Sequence, residues 1–208
     1  MGKKKSSSRA WLKEHHDDIY VQRAQREGYR SRAVYKLIEL NDKDKFMRRG
    51  MSVLDLGSAP GGWSQVAAGI VGDHGRVIAS DILPMDALPD VTFIKGDFTE
   101  QETYDAVLAA LDSRSLDVVL SDMAPNMSGL TAVDQPKAMY LVELATELAC
   151  RALAREGAFV TKVFQGEGFD AWFAEIRARF ERVITRKPEA SRPRSREVYV
   201  VATGFKGS

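Results

Sequence analysis

The run Asp55-Leu56-Gly57-Ser58-Ala59-Pro60-Gly61-Gly62-Trp63-Ser64 is the densest chemical signal in the chain. It joins a short apolar run to a helical pattern. A glycine-rich turn at such a junction lets the backbone approach a ligand closely. The turn departs from Gly-x-Gly-x-x-Gly, because alanine holds the second glycine position and Pro-Gly-Gly follows, which disfavours a pyrophosphate. Three aspartates stand at comparable places. Asp81 closes the second apolar run, about 20 residues past the turn, where a carboxylate commonly accepts ribose hydroxyls. Asp97, in Gly96-Asp97-Phe98, follows the third run, and Asp122, in Ser121-Asp122-Met123-Ala124-Pro125-Asn126, follows the fourth. Taken singly, each reads as a helix cap or turn residue. Taken together, they give an acidic mouth at the carboxyl ends of successive strands, where ligands of such sheets bind. An acidic mouth suits a cationic cofactor carrying adenosine and amino groups.

Positioning those residues requires an α/β fold of the dinucleotide-binding, Rossmann-like type. Apolar runs predict strands at Met51–Leu56, Arg76–Ile82, Val91–Lys95, Leu116–Ser121 and Gly157–Phe164, a weaker sixth at Phe180–Thr185, and a seventh at Arg196–Thr203. The early runs are continuous rather than alternating, which argues for a mainly parallel sheet with helices on both faces. Three-to-four spacing predicts helices over 62–71, 101–112, 134–154 and 169–179, with another over Ser31–Leu40 before the first strand. The polar segment Arg186–Arg196 holds Pro188 and Pro193 and offers no crossover helix. The last two strands therefore form a hairpin, and the final strand is antiparallel.

A length of 208 residues fits one domain with room for a small appendage. One cysteine, Cys150, excludes an internal disulfide framework and fits a reducing compartment. No run reaches the ~18 apolar residues of a membrane span, and the basic start lacks the apolar stretch of a secretory signal. The net charge of +1 hides a segregation. Residues 1–36 hold ten Lys/Arg against four Asp/Glu, a balance of +6; residues 37–181 hold thirteen against twenty-three, or −10; residues 182–208 hold seven against two, or +5. Basic ends around an acidic middle suggest a polyanion footprint, although solvated chain ends would show the same composition. His15 and His16 adjoin Asp17 and Asp18, but metal-ligand spacing is missing, so no metal is expected.

Beyond the turn and the Ser121–Asn126 loop, the motifs Ser31-Arg32-Ala33-Val34-Tyr35-Lys36-Leu37, Lys162-Val163-Phe164-Gln165-Gly166 and Ser191-Arg192-Pro193-Arg194-Ser195-Arg196-Glu197 resemble the FtsJ/RrmJ family of ribose methyltransferases. The resemblance runs from about Trp11 to Phe205. It implies a seven-stranded sheet with an antiparallel last strand, and S-adenosylmethionine as cofactor, whose sulfonium and ammonium match the acidic mouth. The family's catalytic Lys-Asp-Lys-Glu set falls on Lys36, Asp122, Lys162 and Glu197, and its cofactor contacts on Gly61, Trp63, Asp81, Asp97 and Asp122. By the same resemblance the substrate is a uridine in the A-loop of 23S rRNA within the assembled large ribosomal subunit. Residues 1–30 then read as a basic RNA-binding extension and 31–208 as the catalytic domain of a cytoplasmic, monomeric enzyme. Candidate RNA contacts are Arg9, Lys13, Arg23, Arg26, Arg30, Arg32, Arg192, Arg194 and Arg196.

Methylating a ribose 2′-oxygen requires its proton to leave in or near the transition state. Lys162 lies in an otherwise apolar strand. Burial and a second ammonium, Lys36, would lower its pKa toward use as the proton acceptor, whereas Asp122 favours the charged form. Lys162 is thus expected either to take the proton or to orient the hydroxyl as a cation, with Lys36 and Glu197 holding the ribose and the lysine. Three other readings stay open. The substrate could be tRNA or an mRNA cap, although the chain has no added cap-binding domain. The chain could be a non-catalytic RNA-binding assembly factor. It could also be a dehydrogenase, which Ala59-Pro60 disfavours.

Overall fold

The computed structural model describes residues 18–112, 115–192 and 195–207. In chain order the elements are α1 (Ile19–Glu27), α2 (Val34–Asp44), β1 (Ser52–Leu56), α3 (Gly62–Val71), β2 (Arg76–Asp81), β3 (Val91–Lys95), α4 (Gln101–Ala110), β4 (Leu116–Ser121), α5 (Thr131–Ala152), β5 (Leu153–Phe164), α6 (Phe169–Arg179), β6 (Phe180–Arg186) and β7 (Glu197–Phe205). All seven strands join one sheet in the order β3-β2-β1-β4-β5-β7-β6. The first five run parallel, and β7 is antiparallel to both neighbours. This is the Rossmann-like arrangement expected from the sequence, including the hairpin at its end.

Alternation along each strand sends successive side chains to opposite faces. On one face Leu54, Leu56, Ile78, Val119, Phe159 and Val163 pack beneath α4, α5 and α6 through Val107, Leu148 and Ile176. On the other, Val53, Val77, Val118, Val160 and Val201 meet Val34, Leu37, Trp63 and Val66 of α2 and α3. The strands are therefore apolar throughout because both faces are covered.

One helix was not anticipated. Asp18 caps α1 by accepting from the Tyr20 N–H at 2.9 Å, and Gly28 closes it in the left-handed region (φ 75°). Ala24 enters the second core cluster, so this part of the basic segment is packed onto the domain. Helix α2 runs later than its periodicity suggested, to Asp44, because the Asp44 carboxylate is covered and paired with Arg182 and Arg186 of β6. Strand β5 begins at Leu153, earlier than expected, with an irregular register against β4 and a left-handed residue at Glu156 (φ 66°).

Candidate active site

The carboxyl ends of β1 to β4 open onto a cavity of about 780 Å³. Asp81, Asp97 and Asp122 all line it, as does the backbone of Gly57 and Ala59, with Ile82, Phe98, Met123 and Leu141 forming apolar walls. Asp81 also organises the turn: its two oxygens accept from the Ala59 and Leu83 N–H groups, each at 2.8 Å. Each oxygen keeps a lone pair for a ligand hydroxyl. The Asp97 side chain accepts from the Thr99 N–H and hydroxyl at 2.9 and 2.7 Å. Gly57 sits at φ 76°, and a Cβ there would come within 2.9 Å of Met123, so glycine is required where β1 turns past the β4 loop. Gly61 and Trp63 are placed differently. Neither lines the cavity. Trp63 is buried under the site, with its indole N–H on the Ala33 carbonyl at 2.8 Å and its ring 5.7 Å from that of Tyr199.

Beneath the floor of the turn, Asp55 is fully buried and accepts from the Ser64 hydroxyl at 2.6 Å, while its other oxygen has no hydrogen-bond partner among the described residues. Burial pushes its carboxyl up to about 7, with Asp122 and Asp81 adding to the rise.

Lys36, Asp122, Lys162 and Glu197 meet beside the cavity. Lys36 Nζ donates to Glu197 at 2.8 Å and to the Tyr199 hydroxyl at 3.0 Å. That hydroxyl donates to Asp122 Oδ1 at 2.7 Å. Lys162 Nζ lies 3.0 Å from the same Asp122 oxygen and donates to the Asp122 carbonyl at 2.6 Å. The result is one continuous chain, Glu197–Lys36–Tyr199–Asp122–Lys162, with every side chain largely covered. Burial raises the Asp122 and Glu197 carboxyls, but the two lysines and the hydrogen bonds outweigh it and hold both below their ordinary values. Burial and the two carboxylates keep the Tyr199 phenol well above its ordinary value, so it is a neutral donor.

Tyr199 is a member of this hydrogen-bonded chain that motif reading missed. Its signal was present: it stands two residues after Glu197 in a strand, hence on the same face, and register places it opposite Lys162.

A second cavity, of about 410 Å³, opens on the other side of the set and is lined by Lys36, Glu197, Phe164, Met127 and Arg192. The candidate RNA contacts distribute unevenly around it. Arg192 lines it, and Arg196 is exposed near it. Arg32 also lines it, but is paired with Asp18 and bonded to the Ala190 carbonyl. Arg23 pairs with Glu27 at 2.8 Å and lies over the Tyr35 ring, whereas Arg26 is 77% exposed. Arg30 turns toward the glycine turn. Arg9, Lys13, Arg194, His15 and His16 lie outside the described residues. Among the described residues, no group of three His, Cys, Asp or Glu is arranged to hold a metal, and no helix is long and apolar enough to cross a membrane.

A sheet of this order, with its last strand inserted antiparallel and its ligand cavity at the carboxyl edge, is that of the Rossmann-like methyltransferases. The FtsJ-like methyltransferase model matches residues 29–205, and the chain belongs to that family. It is 62% identical, over the full length of both chains, to Ribosomal RNA large subunit methyltransferase E of Hahella chejuensis. The protein of that name from Chromohalobacter salexigens is 64% identical, covering 97% of this chain and 96% of the relative. A solved structure described as a ribosomal RNA methyltransferase, from Plasmodium falciparum, superposes with a TM-score of 0.76 at 28% identity, covering 86% of this chain and all of the other.

Proposed function

We propose that the protein transfers a methyl group from S-adenosylmethionine to the ribose 2′-hydroxyl of a uridine in the A-loop of 23S rRNA, on the assembled large ribosomal subunit. The observation that carries this reading is the covered Glu197–Lys36–Tyr199–Asp122–Lys162 chain standing between two cavities, one acid-rimmed and one flanked by arginines. The names of the relatives support an rRNA substrate. The cytoplasm and a monomer whose partner is the subunit's RNA complete the reading. Residues 1–30 supply part of the RNA contact and 31–208 the chemistry.

The larger cavity fits the cofactor. Its acidic rim suits an ammonium and ribose hydroxyls, and its apolar walls suit an adenine. Asp81 and Asp97 would hold the cofactor's hydroxyl and amino groups, with Asp122 facing its cationic end. When bound, S-adenosylmethionine supplies an electrophilic methyl on sulfonium. Lys162 Nζ already directs two bonds to Asp122, leaving one tetrahedral position for the substrate. In the ammonium that position is an N–H, and in the free amine it is a lone pair able to take the 2′-hydroxyl proton. Lys162 is the proton acceptor in this proposal. Asp122 fixes its direction, and Lys36 with Glu197 holds the acceptor ribose. Positioning of this kind can lower a barrier by up to ~7–11 kcal/mol in favourable cases. Arg23, Arg26, Arg32, Arg192 and Arg196, with Arg9, Lys13 and Arg194, supply phosphate contacts.

The test is single-turnover methylation of purified large subunits lacking the modification, with ribose methylation mapped across the rRNA and purified tRNA as a parallel substrate. Wild-type protein should modify one A-loop uridine. Lys162→Ala and Lys162→Arg should both be severely impaired with cofactor affinity retained, since guanidinium does not deprotonate in proteins. Methylation of tRNA alone would overturn the substrate, and a near wild-type rate for Lys162→Arg would overturn the proton acceptor.

A further inference from the structure

Arg30 was grouped with the RNA contacts by its charge and place in the basic segment, yet its guanidinium points the other way. Nη1 donates to the Asp86 carbonyl at 2.6 Å and to the Pro60 carbonyl at 3.3 Å, and Nη2 donates to the Ala87 carbonyl at 2.8 Å. One planar fork thus joins the glycine turn to the loop between β2 and β3. That loop leaves Asp81 and supplies Ile82 and Leu83 to the larger cavity. A reciprocal contact comes from α3. The Gln65 amide donates to the Gly28 carbonyl at 3.0 Å, and its oxygen accepts from the Arg30 N–H at 3.1 Å. The fit is close: a Cβ on Gly61 would stand 2.9 Å from Arg30 Nη1.

We propose that Arg30 is a cofactor-positioning residue, a latch that holds the β2–β3 loop against the glycine turn, with Gln65 keeping the latch in place. This deepens the S-adenosylmethionine reading and rests on it. The turn and the loop that Asp81 bonds through Ala59 and Leu83 are joined a second time at this fork, so its loss lets the loop move away from the turn and widens the mouth. The residue needs a guanidinium. A lysine ammonium is a single point charge and cannot present two nitrogens to three separate carbonyls as the guanidinium does.

The experiment uses the full chain, with S-adenosylhomocysteine as the calorimetric probe. Arg30→Ala and Arg30→Lys should each raise its Kd about ten- to hundredfold, the loss expected for charged hydrogen bonds. KM for S-adenosylmethionine should rise with kcat held. The salt dependence of rRNA binding by cofactor-free protein should keep its slope. An unchanged Kd overturns the latch. So does a log–log slope reduced by ~0.7–0.9, which marks a lost phosphate contact. If Arg30→Ala does not fold, Arg30→Gln carries the same two criteria, since it removes the fork and its charge and leaves the Gln65 contacts with the Gly28 and Arg30 backbone. Wild-type protein that binds no S-adenosylhomocysteine would overturn the cofactor reading, and the latch with it.

Discussion

Removing one oxygen from Tyr199 should slow methyl transfer without weakening either substrate. The Tyr199 hydroxyl joins the two side-chain halves of this chain: it donates to Asp122 at 2.7 Å and accepts from Lys36 at 3.0 Å. Phenylalanine keeps the ring, its packing on Trp63 and the backbone pairing with Lys162. A hydrogen bond to a charged group contributes ~1.5–3 kcal/mol. If that energy is spent on holding Asp122 and Lys36 in the reactive geometry, the rate falls by about ten- to a hundredfold. The fall should be smaller than for Lys162→Ala, because Asp122 keeps Lys162 and Lys36 keeps Glu197. The acid limb should move as well. Asp122 lies below its ordinary value, so its ionised form persists until pH falls through that lowered value. Losing a donor raises the value, and the limb shifts toward higher pH. The assay is single-turnover methylation at saturating cofactor and RNA across acid pH, with cofactor affinity measured separately. A folded Tyr199→Phe protein with the wild-type rate and acid limb would refute the linked-chain account.

Three further outcomes follow from the geometry. Asp81→Ala removes the acceptor for the Ala59 and Leu83 N–H groups as well as the proposed cofactor contact, so affinity for S-adenosylhomocysteine should drop about tenfold or more; unchanged calorimetry would remove Asp81 from the site. Asp55 keeps its proton in the fold up to about 7, whereas the unfolded chain loses it near 3.8. The Asp55 contribution to stability should therefore decline by ~1.4 kcal/mol per pH unit as pH rises through that window, read in urea unfolding at several pH values as the difference between wild type and Asp55→Asn. Asp44→Ala strips two arginines of a covered carboxylate, and urea unfolding should show a loss of ~2 kcal/mol, below the ~3–5 kcal/mol of a fully buried pair because the arginines reach water.

Strand periodicity, the glycine turn and the acidic strand ends were legible because each depends on short-range spacing. Burial on both faces writes itself as unbroken apolar runs, and the proline-bearing Arg186–Arg196 segment has no room for a crossover helix. What stayed hidden depends on direction at longer range. Helix α1 carries a cap at Asp18 and a glycine at Gly28, but its charges read more loudly than its two buried positions, Val21 and Ala24. A long cation such as Arg30 declares its charge in the sequence and not the side to which it turns. Trp63 sits in the motif that shapes the cofactor turn, yet its indole serves α2 from below.

The antiparallel last strand explains why these four residues can meet at all. In a parallel sheet only the carboxyl ends of strands reach the ligand edge, so β2, β3 and β4 present Asp81, Asp97 and Asp122 there. Strand β7 runs the opposite way, and its first residues reach the same edge. Register then sets Tyr199 against Lys162 and Glu197 against Phe164, the last residue of β5. A parallel β7 would bring its far end to the edge and leave Glu197 at the bottom of the sheet. Because β7 lies between β5 and β6, it is also buried on both sides, which fixes that register with two ladders. Helix α2 completes the arrangement from the opposite face of the cleft, bringing Lys36 to the start of β7 while Asp44, two turns on, ties the same helix to β6. The proposed catalytic set, Lys36, Asp122, Lys162 and Glu197, is therefore held by long-range pairing at both ends of one helix and one strand. That is why short-range spacing does not join the four residues in the sequence, and only the family resemblance groups them.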